Sequence, residues 1–274
     1  MTNRIGFIGL GNMGKPICKN LLKAGYPVVV YDIKEELARE LEILGARTVR
    51  SSKQVAEASD AIFTMVLDDA QTERVVFGEE GVLQGARKDS TLIITSTVSP
   101  SLCRRVADEA AQQGVGVLDA AVSGGPMGAE AGTLTVMVGG DKNLLERCRP
   151  ILEVLGKNIF YFGRAGMGQV AKAVNNALLH YNTFGAVEAL HLAIKAGIRL
   201  EVMLELARSS SGKSWPIEHW DFYSSMKKKG PPALDIPYKD LKIAIEMGKE
   251  IGHDMPLASF CLELDLYKLP ELPD

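Results

Sequence analysis

RIGFIGLGNMGKPICKNLLKAG, residues 4–25, carries the pattern of a strand, a glycine turn and a helix in immediate succession. A short apolar run, Ile5 to Ile8, leads straight into Gly9-Leu10-Gly11-Asn12-Met13-Gly14 and then into a helix reaching about Lys23. In such a strand–turn–helix each glycine has a steric reason. Gly9 makes the tight turn, Gly11 lets the backbone approach a pyrophosphate, and Gly14 allows the helix to pack closely on the strand. The helix N-terminus adds free N–H groups and a positive dipole for the anion. A second strand, Val28 to Tyr31, ends at Asp32, about 20 residues on, where a carboxylate accepts the adenine-ribose hydroxyls. A glycine turn in an unrelated α/β protein, with Asp32 capping the next helix, would share some of these features. Their agreement favours a dinucleotide site over that plainer reading. The Asp32 charge repels a 2′-phosphate and no arginine follows immediately, so the expected cofactor is NAD, with Lys34 near enough to permit some NADP use.

Beyond this segment, apolar runs bounded by turn residues recur at Ala61 to Val66, Thr91 to Thr95 and Val115 to Ala121, with helical stretches between them. Strands alternating with helices point to a parallel, doubly wound α/β sheet covered on both faces. Thr133 to Val138 and Asn158 to Phe162 flank a helix from about Lys142 to Leu155 and extend the sheet to roughly Arg164. From Gly166 onward no strand is expected. Gln169 to Ala196 lacks proline and stops at Gly197, which reads as a helix of ~40 Å linking two domains. Shorter helices are expected at Leu200 to Arg208, Asp235 to Ile251 and Pro256 to Leu266, giving an all-helical second half. The expected division is residues 1–164, for the dinucleotide, and 165–274, for substrate and oligomerisation.

The 274 residues fit two ordinary domains. A net charge of -3 supplies no basic field, which argues against nucleic acid as a partner. Cys18, Cys103, Cys148 and Cys261 are scattered without a C-x-x-C pair, so neither a metal site nor a disulfide framework is expected. The chain enters a strand within a few residues of Met1, leaving no room for a signal peptide, and no apolar run approaches the ~20 residues that span a bilayer. A cytoplasmic protein without membrane partners is the expectation. Lys227-Lys228-Lys229, before Gly230-Pro231-Pro232, reads as a solvated loop.

Chemistry enters at GMGQVAKAVNN, Gly166 to Asn176. Lys172 and Asn176 lie one turn apart on a small, apolar helical stretch and project from the same face. A buried lysine shifts its pKa readily and suits proton transfer. The plainer alternative is a surface lysine on an amphipathic helix, but Gly168, Asn175 and Asn176 offer it no salt-bridge partner. Ser123-Gly124-Gly125 follows the Val115 to Ala121 strand, where open α/β sheets bind ligands, and its exposed amides and hydroxyl suit a carboxylate, although an ordinary turn would look the same. Tyr223-Ser224-Ser225-Met226-Lys227 has the Tyr-x-x-x-Lys spacing of short-chain dehydrogenases, but far from any strand it reads as coincidence. His180, His191, His219 and His253 have no carboxylate at a dyad spacing and read as structural, with His180 two turns beyond Lys172.

Four ordered motifs now carry a resemblance: GLGNMGKPICKNLLKAG, DAAVSGGPMGAEAGTLTVMVGG (119–140), GMGQVAKAVNN and YKDLKIA (238–244). Over nearly its whole length the chain resembles the β-hydroxyacid dehydrogenase family. The resemblance implies a Rossmann-type domain joined by a long helix to an all-helical domain, in a homodimer or homotetramer. It also implies Lys172 as general acid/base, Asn176 as a substrate contact, and Ser123, Gly124 and Gly125 as the carboxylate loop. Lys239 would lie near the nicotinamide, followed by a structural Asp240, while Met65, Val66, Leu67 and Thr97 would line the cofactor. An aromatic residue near SSSGKSW contacts substrate in relatives, which points to Trp215, with Lys213 as an anion contact; plain core packing is the equal alternative for Trp215.

Three departures stand out. Asp68-Asp69 follows Leu67 where most relatives have proline, and Pro126-Met127 is unusual in the carboxylate loop. The chain stops at LYKLPELPD (266–274) without the Gly-Asp-containing tail of relatives, which implies a shortened chain or a more open cleft. The expected reaction is reversible, NAD-dependent hydride transfer between cofactor and a small 3-hydroxy acid or its semialdehyde. In oxidation a neutral Lys172 takes the hydroxyl proton, and burial beside Lys239 favours that neutral form, so an alkaline optimum is expected. The competing readings are a reductase of glyoxylate or succinic semialdehyde, an imine reductase, and a dinucleotide-binding regulator without turnover. Retention of Lys172, Asn176 and Lys239 argues against the last.

Overall fold

The computed structural model describes residues 4–229 and 235–264. The chain divides into two compact units, Met1–Lys172 and Ala173–Asp274. In the first, β1 (Ile5–Ile8), β2 (Val28–Tyr31), β3 (Arg47–Thr48), β4 (Ala61–Thr64), β5 (Thr91–Ile94), β6 (Gly116–Ser123), β7 (Thr135–Gly140) and β8 (Asn158–Tyr161) form one sheet. The strand order is β3-β2-β1-β4-β5-β6-β7-β8, so the chain winds one way from β1 and then restarts on its other side at β4. This is the doubly wound order, and its reversal between β1 and β4 opens a crevice at the carboxyl ends of the strands.

Helices α1 (Gly14–Lys23), α2 (Glu35–Glu42), α3 (Ser52–Ala58), α4 (Asp69–Phe77), α5 (Pro100–Ala111), α6 (Gly125–Ala131) and α7 (Lys142–Leu155) connect the strands. Because both faces of the sheet are covered, successive strand residues alternate between two cores. Ile5, Phe7, Val30 and Phe63 enter one cluster, and Ile8, Val29, Ile62 and Ile94 enter the other. Phe7 and Phe63 stack across β1 and β4 at 5.5 Å between ring centroids. Emptying either position should cost ~3–5 kcal/mol.

The expected strands are all present, with two differences. The two-residue β3 escaped the sequence, being too short to carry a pattern. More consequentially, β7 runs antiparallel to β6, with Ser123 opposite Thr135. The linking segment holds only the short α6, which starts and ends at the same edge of the sheet, so the chain must return alongside β6. Helix α7 then restores the parallel sense for β8.

The long helix α8 (Met167–Lys195) runs from the first unit into the second, where α9 (Leu200–Ser209), α10 (Trp215–Glu218), α11 (Trp220–Lys229), α12 (Ile236–Glu250) and α13 (Pro256–Glu263) follow. Two apolar clusters hold the second unit together, one around Phe184, Leu241 and Ala258 and the other around Val187, Leu190, Leu204 and Trp220. The first unit is thus a Rossmann-type α/β domain and the second is helical throughout its described residues. Helices α10 and α11 lie between the expected helices Leu200 to Arg208 and Asp235 to Ile251, where none was expected; Pro216 in the first turn of α10 and the buried Trp220 account for them. The Gly230-Pro231-Pro232 break, the end of the expected last helix at Leu266 and the LYKLPELPD tail lie outside the described residues; Lys227 to Lys229, expected as a loop, instead close helix α11, and their side chains lie outside the described residues.

Candidate active site

At the carboxyl end of β1 the three glycines divide by cause. Gly9 has φ +93°, and a Cβ there would sit 2.3 Å from the Met65 carbonyl oxygen; at Gly14 it would sit 1.9 Å from the Gly9 carbonyl oxygen. Both are demanded by the protein's own packing. Around Gly11 nothing lies within 4 Å of the same position. The protein itself therefore has room for a side chain at Gly11, and its absence leaves space for a ligand at the opening of α1. In the first turn of α1 Pro16 has no N–H, and the Lys15 and Ile17 amides donate to the Gly11 and Met13 carbonyls at 3.1 and 3.3 Å, so the attraction for an anion there rests on the positive end of the helix dipole. Asn12 is exposed, and Met13 packs against the core beneath.

Asp32, just beyond β2, binds this loop directly. Its Oδ2 accepts from the Leu10 amide at 2.6 Å and its Oδ1 from the Lys34 amide at 2.8 Å. It does more than start the next helix, because α2 has Lys34 as its N-cap. Each oxygen keeps a lone pair for a ribose hydroxyl.

Met65, Val66 and Leu67 follow β4. The Met65 amide donates to the Ile8 carbonyl at 2.8 Å and the Val66 amide to Ser96 Oγ at 2.8 Å, while Leu67 is 47 % exposed. The departure at Asp68-Asp69 has a structural use. Asp68 caps α4 through the Gln71 amide at 2.8 Å, and Asp69 accepts from the Ser99 amide at 3.0 Å, joining the loops after β4 and β5. Thr97 is half-buried in the second of these loops.

Two residues that sequence reasoning passed over anchor the start of α8. Asp119, buried in β6, accepts from the amides of Gly166 at 2.7 Å and Gln169 at 3.0 Å. Burial raises its carboxyl from 3.8 to about 6 against the opposing pull of the Gly166, Gln169 and Gly168 amides. The buried Gln169 side chain donates to the Ser96 carbonyl at 2.8 Å and accepts from the Val98 amide at 3.2 Å, clamping both sides of Thr97. Lys172, one turn further along α8, is itself only 8 % exposed. An acid in an otherwise apolar strand was the signal that could have pointed to Asp119, since a buried carboxylate requires partners.

Ser123 closes β6, and the next residues are more ordered than a plain turn. Gly124 (φ +130°) and Gly125 (φ +64°) lead directly into α6, in conformations an L side chain resists, and Met127 stands 47 % exposed.

In the second unit α8 and α12 bring four side chains together. Asn176 Nδ2 donates to Asp240 Oδ2 at 2.6 Å, His180 Nε2 meets the same oxygen at 3.2 Å, and Lys239 Nζ lies 3.0 Å from Asp240 Oδ1. This corrects the reading of His180 as a histidine without a carboxylate. Its partner is 60 residues away, beyond the reach of any spacing rule. Trp215 stacks on His219 at 4.3 Å and meets Phe222 edge-on. Lys213 pairs with Glu218 at 2.9 Å. Burial pushes the Tyr223 phenol up to about 12, the opposite of what a proton-relay tyrosine requires.

The family model of the NAD-binding domain of 6-phosphogluconate dehydrogenase matches residues 4–163. The model described as NAD-binding of NADP-dependent 3-hydroxyisobutyrate dehydrogenase matches residues 166–267. The chain is 40% identical to 2-(hydroxymethyl)glutarate dehydrogenase of Eubacterium barkeri, over 95% of this chain and 87% of the relative. It is 36% identical to NAD-dependent L-serine dehydrogenase of Pseudomonas aeruginosa, over 97% and 91%. Among solved structures, Mycobacterium tuberculosis 3-hydroxyisobutyrate dehydrogenase with L-serine aligns with a TM-score of 0.81 at 33% identity, covering 96% of this chain and 92% of that one. With both family models and full-length relatives in agreement, the chain belongs to the β-hydroxyacid dehydrogenase family, NAD(P)-dependent oxidoreductases of hydroxy acids.

Proposed function

We propose that this family member oxidises a 2-substituted 3-hydroxypropanoate reversibly to its semialdehyde, preferring NAD, with Lys172 as the general acid/base. Hydroxymethylglutarate, serine and 3-hydroxyisobutyrate, in the names of its relatives, share a CH2OH group β to a carboxylate and differ in the substituent between. That common frame defines the substrate class.

Gly9 to Gly14 and Asp32 would hold the dinucleotide, with Met65, Val66, Leu67 and Thr97 along it and Lys239 toward its nicotinamide end. Bound there, the nicotinamide accepts or supplies the hydride. Ser123, Gly124 and Gly125 would bind the substrate carboxylate, with Trp215 shaping the pocket. In oxidation neutral Lys172 accepts the hydroxyl proton, and in reduction its ammonium returns one to the forming alkoxide. An ordinary lysine is almost wholly protonated at neutral pH, so oxidation should accelerate toward alkaline pH.

The observation that carries this reading is a lysine only 8 % exposed on α8, one turn before an asparagine whose amide is fixed by a buried carboxylate. Residues 1–164 would form the cofactor domain and 165–274 the substrate and oligomerisation domain. Exposed Leu178, Leu192, Leu206 and Phe260 support a homodimer or homotetramer. Among the described residues no helix is long and apolar enough to cross a membrane, which supports a cytoplasmic setting.

An NAD(H)-linked screen over short hydroxy acids and semialdehydes, with Lys172→Ala as control, tests the proposal. Turnover of a 3-hydroxypropanoate and a loss of ~100-fold or more in the variant are expected. A variant keeping more than about a tenth of the rate would refute the acid–base role.

A further inference from the structure

We propose that His180 is a positioning residue for the reaction, acting through Asp240 on the Asn176 amide. This rests on the reading of Lys172 and Asn176 given above and adds a residue to it.

Lys172, Asn176 and His180 follow at four-residue intervals on α8, so they form one stripe along the helix, each about 40° round from the last. Asn176 and His180 are 4 % and 5 % exposed, and the Asp240 carboxylate they share is 3 % exposed. Asp240 Oδ2 takes the Asn176 amide at 2.6 Å and faces His180 Nε2 at 3.2 Å, while Oδ1 faces the Lys239 ammonium at 3.0 Å. A carboxylate that already serves an amide N–H and an ammonium is an acceptor. The proton between ring and carboxylate therefore sits on Nε2, and His180 donates.

Two donors from consecutive turns of one rigid helix converge on a single oxygen. Asn176 holds that oxygen at one point, and His180 Nε2 meets the same oxygen from the next turn, adding a second restraint on the carboxylate that orients the amide. The orientation of Asn176 then follows, because its NH2 is committed to Asp240 and its Oδ1 is turned away as an acceptor. Asn175 Nδ2 lies 3.2 Å from that Oδ1, and an amide oxygen has a second lone pair. Asn176 is thereby set to receive a hydrogen bond, from a substrate hydroxyl or an ammonium. With its amide reversed it would present a donor there, which opposes an ammonium outright and turns the hydroxyl proton away from Asn176.

Packing alone does not call for a histidine here. The position is buried on an apolar helix, where an imidazole is costly unless its N–H is satisfied. Leucine would fill the space without that cost. What histidine adds is one directed N–H.

The test compares His180→Leu, which keeps volume and removes the donor, with His180→Gln, whose terminal amide can reach the same oxygen. For each, kcat, KM for hydroxy acid, KM for NAD and thermal midpoint are measured beside wild type and Lys172→Ala. We expect His180→Leu to lose about tenfold or more in kcat, with KM for NAD within about twofold. His180→Gln should recover at least about half of the loss on a logarithmic scale, even where its thermal midpoint matches that of the leucine variant. If leucine is not accommodated, His180→Ala demands no space and gives the same readout. A kcat within about twofold of wild type in the donor-less variant overturns the proposal, as does a loss that follows the thermal midpoint without rescue by glutamine. Lys172→Ala separates the two readings: if it is inactive while His180→Leu is fully active, only the role of His180 fails, and if it stays active the acid–base reading itself fails.

Discussion

The Asp119 carboxylate meets the Gly166 amide at 2.7 Å, tying the middle of β6 to the turn that opens α8. With the Gln169 amide on its other oxygen at 3.0 Å, it satisfies amides at the start of α8 that the helix itself leaves without acceptors. The helix carrying Lys172 is thus fixed to the sheet by a side chain that contributes no chemistry of its own.

Asp119→Asn keeps one acceptor oxygen and turns an NH2 group toward the other amide. It should destabilise the fold by ~1–3 kcal/mol, read as a lower denaturant midpoint. The effect will depend on pH. The carboxyl sits at about 6 in the folded chain against an ordinary 3.8, so between those values the folded state binds a proton that the unfolded state does not. Its contribution is complete below about pH 4 and fades as pH rises through 6, a swing of about 3 kcal/mol at most. The stability gap between wild type and Asp119→Asn should therefore be wider at pH 5 than at pH 8. A gap independent of pH would mean that Asp119 is ionised throughout.

The glycine loop supports a sharper contrast, because its glycines answer to different neighbours. Gly14→Ala drives a Cβ to 1.9 Å from the Gly9 carbonyl oxygen, so it should unfold or strongly destabilise the first unit. Gly11→Ala meets nothing within 4 Å. It should melt within a degree or two of wild type, roughly a surface change, yet raise KM for NAD by about tenfold or more, since the added methyl occupies the approach of the pyrophosphate. Unchanged KM in a folded Gly11→Ala protein would place the dinucleotide elsewhere.

What sequence could reveal divides along physical lines. Local and periodic features were legible: the strand, glycine turn and helix around Gly9, the short apolar runs that mark a sheet covered on both faces, and the uninterrupted run that became α8. The antiparallel return of β7 was not, because strand direction depends on where a connection ends in space. Neither were the partners of Asp119 and His180. Their contacts join residues 47 and 60 apart, and a buried polar residue announces only that it needs a partner, never which one. Asp68-Asp69, an anomaly beside the expected proline, became explicable once Gln71 and Ser99 were seen to donate to it.

In the proposed reading Asp32 sets the choice between NAD and NADP, and a simple deletion would confuse the test. Its carboxylate also accepts from the Leu10 amide at 2.6 Å, so removing it would loosen the glycine loop. Asp32→Ser is the better probe, because its hydroxyl retains an acceptor while the negative charge goes. Overall kcat/KM should fall with both cofactors as the loop relaxes. The ratio of NADP to NAD kcat/KM, in which that shared loss cancels, should rise by about tenfold, equivalent to ~1.4 kcal/mol of relieved repulsion against a 2′-phosphate. Adding Ile33→Arg, which turns the 82 % exposed residue after Asp32 into a cation, should raise the ratio further. If the serine variant lost activity with both cofactors at an unchanged ratio, Asp32 would be a loop-holding residue only, and the cofactor preference would have to arise at another position.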